Sequence, residues 1–255
     1  MSGFTNKVIY KKDIVHKTSQ DITSVYLDKT NEYLFLNELK KINTDILVKP
    51  INVIFDGNTL ISTFPFIKSH IDLTDTKINK LIVELVAEGI VELRKIKIEG
   101  LKKFSHINYL EWFLKNIKNP IHKINMDITS FSILDKQDYV LSHNDLVPGN
   151  ILFNGVNDVK LIDYDFTKYN NRYFDIASFI TETLNDDSTL VNYFIKVCKE
   201  KKLFDNFEIL NLEIKYQDIL WSLWANYMFD ITGTTLFKDI CIDKYNRFLN
   251  RTTYK

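Results

Sequence analysis

Two short runs, close together in the chain, constrain it more than anything else in the sequence. The first is Ser142-His143-Asn144-Asp145-Leu146-Val147-Pro148-Gly149-Asn150-Ile151-Leu152, and the second is Leu161-Ile162-Asp163-Tyr164-Asp165-Phe166. Asn150 follows Asp145 by five residues, and Asp163 follows Asn150 by thirteen. A histidine two before an aspartate, an asparagine five after it and a second aspartate on a later strand form the set that phosphoryl transfer uses. One carboxylate accepts the proton of an acceptor hydroxyl, while an amide oxygen and a second carboxylate hold Mg²⁺ on a triphosphate. The chain must therefore fold so that two loops meet at one cleft. Its expected chemistry is phosphorylation of a small hydroxyl compound.

A length of 255 residues suits one large domain or two small lobes sharing a cleft. Hydrophobic residues make up 45% and aromatic residues 13%, enough for a buried core and against disorder. Lys plus Arg and Asp plus Glu are both 33. That balance argues against nucleic acid as a main partner, because phosphate backbones select a basic excess. Cys198 and Cys241 lie in apolar helical patterns and fit reduced, buried thiols of a cytoplasmic protein. The N-terminus has no charged region followed by an apolar run. The most apolar helical pattern, residues 81–93, carries Glu84, Glu88 and Glu92 as one solvated stripe. A soluble protein without membrane insertion is the expectation.

The order of elements predicts an α+β, bilobal architecture. Residues 8–10 and 14–17 flank the polar turn Lys11-Lys12-Asp13 as a hairpin. Residues 31–42 have the apolar spacing of an amphipathic helix. Residues 51–55 and 59–64 are strand-like runs around Asp56-Gly57-Asn58, a strong hairpin signal. From Ile78 onward helices dominate. A β-rich nucleotide-binding lobe over 1–67 and a mainly helical catalytic and substrate lobe over 68–255 follow. The hinge lies near Phe64-Pro65-Phe66-Ile67, with Phe64 expected beside ATP.

Within this frame Asp145 is the expected catalytic base, in contact with the substrate hydroxyl, and Asn150 and Asp163 are the expected Mg²⁺ ligands. His143 is expected to brace the loop rather than bind metal, since no other ligand sits at zinc-like spacing. Asp165 either assists a second metal through water or is a solvated turn residue. Asp175 reads as a helix N-cap. Lys17, closing a strand, is placed to hold the α- and β-phosphates, and Glu32 on the next helix to pair with it. Taken alone, both would be surface charges. Ser2-Gly3-Phe4-Thr5-Asn6 is a candidate phosphate-covering turn carrying a single glycine. Trp221 and Trp224 share a helix face, which suits either core packing or a cage for a quaternary ammonium. Glu182 supplies a countercharge or is a helix-surface residue.

These residues together resemble the superfamily of choline/ethanolamine kinases and aminoglycoside phosphotransferases. His143-Asn144-Asp145 with Gly149-Asn150-Ile151-Leu152 carries the resemblance, together with Ile162-Asp163-Tyr164-Asp165-Phe166. Tyr169-Asn170, Arg172 and Phe174-Asp175-Ile176-Ala177 narrow it to choline kinases, LicA-type bacterial enzymes being nearest in size. The resemblance implies a protein-kinase-like fold, ATP as co-substrate and choline as acceptor. It further implies that Trp221 and Trp224 enclose the ammonium, that Glu182 is its carboxylate, that Glu32 is the helix glutamate, and that Thr5 and Asn6 belong to the phosphate loop.

Three features depart from that pattern. The chain starts at the phosphate loop, so the strand leading into it is missing or shortened. Arg94-Lys95 replaces a histidine, and residues 237–245 show no clear match to the remaining cage aromatics. The alternatives are ethanolamine, thiamine or an aminoglycoside as acceptor, or a non-catalytic protein that binds ATP or choline.

Overall fold

The computed structural model describes residues 5–20, 25–124 and 126–255. Strands β1 (Asn6–Lys11) and β2 (Ile14–Ser19) form the expected hairpin, closed by Lys12 in a left-handed conformation. Helix α1 (Lys29–Leu39) starts where Asp28 accepts the Asn31 N–H at 3.0 Å. It begins earlier than the apolar spacing suggested and stops at Leu39, where the chain tightens into turns from Lys41 and Ile42. Strands β3 (Asn52–Phe55) and β4 (Leu60–Pro65) are joined by a turn with Gly57 at φ 100°. There the Asp56 carboxylate accepts the N–H groups of Asn58 and Thr59. The sheet runs β1-β2-β4-β3, all antiparallel. β2 is therefore internal, and Lys17 lies between Val8 and Ser62.

The remainder is mainly helical, with short strands that carry the two motifs. Strand β5 (Ile71–Asp72) precedes helices α2 (Lys80–Lys95) and α3 (His106–Asn116) and a 3₁₀ stretch, Ile128–Lys136. Strands β6 (Tyr139–Ser142), β7 (Ile151–Phe153), β8 (Val159–Leu161) and β9 (Lys168–Asn171) follow. They form two small sheets, β5-β7-β8 and β6-β9. Helix α4 (Phe174–Ser178) runs into a π-helical turn, Phe179–Thr183. Helices α5 (Ser188–Glu200), α6 (Phe207–Thr232) and α7 (Thr235–Asn250) complete the chain. The architecture is α+β in two parts. Among the described residues no helix is long and apolar enough to cross a membrane.

α2 buries Ile82, Val83, Val86, Ala87, Ile90 and Leu93 along one face. Glu88 and Glu92 are exposed as expected, but Glu84 is half-buried and accepts the Tyr193 hydroxyl. The stripe is thus solvated at two of its three positions, because α5 packs over the first. Gly233, in a left-handed conformation, ends α6 and lets α7 fold back along it. The buried Ser222 hydroxyl donates to the Cys241 carbonyl at 2.9 Å and joins the two helices. Cys198 and Cys241 are buried free thiols. Arg94 serves the fold, donating to the carbonyls of Leu203 and Arg172.

His106 opens α3 at a fully buried position. Its Nδ1 lies 2.6 Å from Asp135 and its Nε2 3.1 Å from Glu213. Burial alone would lower the ring's pKa, but Glu213 and Asp135 reverse this and raise it from 6.5 to about 9. A raised folded-state pKa stabilises fully below pH 6.5, and the gain disappears as pH climbs through about 9. The melting-temperature gap between the wild type and His106→Gln should therefore be widest near pH 6 and shrink through pH 9. A gap that stays constant over that range would mean the ring is neutral throughout.

Candidate active site

The loop after β6 is fixed by buried hydrogen bonds. Asn144 has a left-handed backbone with φ 66°, which asparagine tolerates better than most residues. The His143 and Asn144 N–H groups donate to the two Asp175 oxygens at 3.0 and 2.9 Å. The Asn144 side chain donates to the Phe166 carbonyl and accepts from Asn170, both at 2.8 Å. Leu146 N–H donates to Ser178 Oγ at 3.0 Å. His143 Nε2 donates to the Ile162 carbonyl at 2.9 Å, and burial pushes this ring down to about 4. It is a neutral brace, as its sequence context suggested. Asp175 is a correction. Tyr173 occupies the N-cap of α4, and the Asp175 carboxylate turns back to secure the loop.

Asp145 emerges from this scaffold half-buried. The Asn150 amide donates to Asp145 Oδ2 at 2.8 Å and to its carbonyl at 3.0 Å, leaving the Asn150 Oδ1 for another partner. Burial, and then the charges of Asp163, Glu182 and Asp165, raise the Asp145 carboxyl well above its ordinary range.

Asp163 follows β8 and adopts φ 66°, so the chain turns sharply at the strand's end. Lys17 Nζ reaches across from β2 and binds Asp163 Oδ1 at 2.6 Å, Glu32 Oε1 at 3.3 Å, and Asp165 Oδ1. Burial opposes the charge on Lys17, but these three carboxylates outweigh it and raise its pKa. Burial also raises Glu32, to about 8, against the pull of Lys17. Asp165 is 5% exposed and also accepts from Thr5 Oγ1 at 2.7 Å and Asn6 Nδ2 at 2.6 Å. The solvated-turn reading of Asp165 is therefore wrong. So is the surface-charge reading of Lys17 and Glu32.

A cavity of about 650 Å³ gathers most of these groups. Thr5, Asn6, Asp145, Asn150, Asp163 and Asp165 line one part, and Glu182, Trp221 and Trp224 another. Lys17 and Glu32 sit behind the wall that Asp163 and Asp165 form. Phe64 is not in the lining; its ring packs on Tyr164 with centroids 6.1 Å apart. Ser2, Gly3 and Phe4 of the expected phosphate turn lie outside the described residues.

The two indoles are perpendicular, with centroids 6.0 Å apart. Trp221 packs edge-on against Phe166, and Trp224 against Phe237. Trp224 Nε1 donates to the Tyr26 hydroxyl at 2.6 Å. Glu182 projects from the π-helical turn and receives the Lys244 ammonium at 2.6 Å. It is therefore not a free surface glutamate. Sequence reasoning gave no role to Phe166, which closes the second motif, and missed Lys244, which lines the cavity, and Tyr26, which braces Trp224; these last two come from distant segments without a local motif. Among the described residues no three carboxylate, imidazole or thiol groups are placed to hold a metal alone. The available donors are oxygens, with Asn150 and Asp163 opening on the same cavity.

The sequence pattern described as Choline/ethanolamine kinase matches residues 65–216. The chain is similar to the crystal structure of choline kinase LicA from Streptococcus pneumoniae, with a TM-score of 0.79 and 21% identity. That match covers 98% of this chain and 91% of the other, and shows a shared fold. An uncharacterized protein of Metamycoplasma hominis is 26% identical over 155 residues, 61% of this chain and 28% of that protein. A probable ethanolamine kinase of Arabidopsis thaliana is 27% identical over 123 residues, 41% of this chain and 33% of that protein. The chain thus spans a third or less of the length of the curated relatives it matches. The pattern covers more than half of the 255 residues and takes in Asp145, Asn150, Asp163 and Glu182, so the chain belongs to the choline/ethanolamine kinase family.

Proposed function

We propose that this protein transfers the γ-phosphoryl group of ATP to the hydroxyl of choline, giving phosphocholine and ADP. One observation carries the reading: a single cavity joins Asp145 and its Asn150 partner to Glu182, Trp221 and Trp224. A small cationic alcohol can place its hydroxyl at the first group and its ammonium at the second. Residues 1–67 then serve as the nucleotide lobe and 68–255 as the acceptor lobe, and the supply of ATP makes the cytoplasm the working compartment.

In the reaction the acceptor oxygen forms a bond to the γ-phosphorus as the bond to the β-phosphate oxygen breaks and ADP leaves. Asp145 takes the hydroxyl proton. Its raised affinity for protons in the acidic cavity suits that task. Lys17 exchanges part of its carboxylate shell for phosphate oxygens, while Glu32 keeps it in place. Asp165 holds Lys17, Thr5 and Asn6 together, which positions the segment expected to cover the phosphates.

The donor set fits Mg²⁺, which prefers one or two protein oxygen ligands completed by phosphates and water. Asn150 and Asp163 would hold it. When bound, the ion neutralises charge on the β- and γ-phosphates.

The perpendicular indoles favour choline over ethanolamine, because aromatic faces attract a quaternary ammonium that lacks N–H donors. Asp239 and Asp243, exposed at the same cavity, support a second reading in which the acceptor is a polycation such as an aminoglycoside. A purely binding role leaves the convergence of Asp145, Asn150 and Asp163 without a purpose.

ADP release should depend on choline, stop with a chelator and return with Mg²⁺. Asp145→Asn should lower kcat about 10²- to 10⁴-fold while ATP still binds; near-normal turnover would remove Asp145 as the base. Trp224→Ala should raise KM for choline by about tenfold or more, from loss of a desolvated cation–π contact, and KM for ethanolamine much less. Equal losses for the two amines would make the tryptophans packing residues. Turnover with an aminoglycoside alone would favour the second reading.

A further inference from the structure

The acceptor end of the cavity already contains a cation. Lys244, on α7, is only 7% exposed, and its ammonium lies 2.6 Å from Glu182 Oε1. Both residues line the cavity alongside Trp221 and Trp224. Trp221 is also buried and the Glu182 side chain is only 16% exposed, so the ion pair is largely shielded from bulk solvent. In such surroundings a carboxylate whose charge is matched by a lysine has little left to attract a second cation. Lys17, the other ammonium near the cavity, is bound by Asp163, Asp165 and Glu32 and does not reach Glu182.

We propose that Lys244 is a resident occupant of the substrate-ammonium subsite, and that an incoming cationic acceptor binds by displacing it from Glu182. The proposal rests on the reading that Glu182 and the two tryptophans receive the acceptor's ammonium. α7 itself need not move. It is tied to α6 through the bond from Ser222 to the Cys241 carbonyl, and Phe237 and Phe248 are buried along it. The lysine instead has a flexible four-carbon stem that can carry its charge toward the mouth. Lys244 thereby lowers the apparent affinity of every cation that uses Glu182 by one common factor.

The size of the effect follows from population arithmetic. If the open arrangement makes up about a tenth of the free protein, apparent affinity for the acceptor is reduced about tenfold. Removing the lysine's charge removes that penalty for any cation that uses Glu182. Choline and ethanolamine should benefit in equal proportion, which separates Lys244 from the methyl-sensing indoles.

The test is KM for choline and for ethanolamine, from ADP release at saturating ATP, in the wild type, Lys244→Met, Lys244→Gln and Lys244→Arg. The Met and Gln variants should lower both KM values about tenfold. The Arg variant, which keeps the charge, should hold them at or above wild type. An unchanged or higher KM in whichever neutral variant folds would overturn the proposal and make the pair a fixed clamp between α7 and the π-helical turn. A wild type and variants that all ignore both amines would instead sink the acceptor assignment, and this inference with it.

Discussion

The cleft is organised around one buried ammonium shared by three carboxylates. Lys17 lies on an internal strand of the first sheet, Glu32 on α1, and Asp163 and Asp165 on the segment after β8. Removing charges from water costs several kcal/mol per ion, so such a cluster persists only when each member is matched. Its geometry couples elements far apart in sequence. Asn31, one residue before Glu32, is buried, donates to the Thr167 carbonyl and accepts from the Lys102 N–H at 2.9 Å. α1 is thereby pinned to the second part of the molecule at the height where Glu32 meets Lys17. Loss of Lys17 would leave three carboxylates facing one another and loosen the contact between the sheet and the segment after β8.

The electrostatics of the cavity follow from that arrangement. Asp145, Asp163, Asp165 and Glu182 all face it, and burial and mutual repulsion raise Asp145 and Asp163. Asp165 is lowered despite burial because Lys17, Thr5 and Asn6 all stabilise its charge. The site is thus built to receive positive charge, and two lysines supply some of it. Lys17 stands on the phosphate side and Lys244 on the acceptor side, each in contact with carboxylates that the proposed metal and the proposed acceptor would use. On the proposed reading, binding in this cleft exchanges cations rather than filling neutral space.

What the sequence made legible was the chemistry with short-range spacing. That Asp145, Asn150 and Asp163 would meet at one cavity could be read, because a base and metal ligands would have to recur at fixed intervals, and His143 could be read as a brace because it had no companion ligand. The hairpins could be read because Lys11-Lys12-Asp13 and Asp56-Gly57-Asn58 carry turn chemistry in their own residues. Lys244 could not. It sits in a helix whose pattern resembles any polar surface, and only the fold brings it to Glu182, 62 residues away. Asp175 was misread because an acidic residue at a helix start usually caps that helix, whereas here a prior demand from the His143 and Asn144 N–H groups captures it. Glu84 left its expected stripe for the same reason, through a tyrosine on another helix.

Two of the left-handed residues, both beside the cavity, show how the local and distant constraints meet. Asn144 and Asp163 each have φ 66°, one immediately before the expected base and the other at the expected metal ligand. Non-glycine residues held there carry strain of about 1–3 kcal/mol, which persists only when the surroundings over-determine the conformation. For Asn144 those surroundings are visible: Asp175, Phe166 and Asn170 bind its backbone and both ends of its side chain. For Asp163 the restraint is Lys17, which pulls the carboxylate toward the sheet at the point where β8 ends. His143 links the two turns by donating to the Ile162 carbonyl. Neither turn can relax without disturbing the other, so Asp145 and Asp163 keep their relative positions although they lie on separate loops.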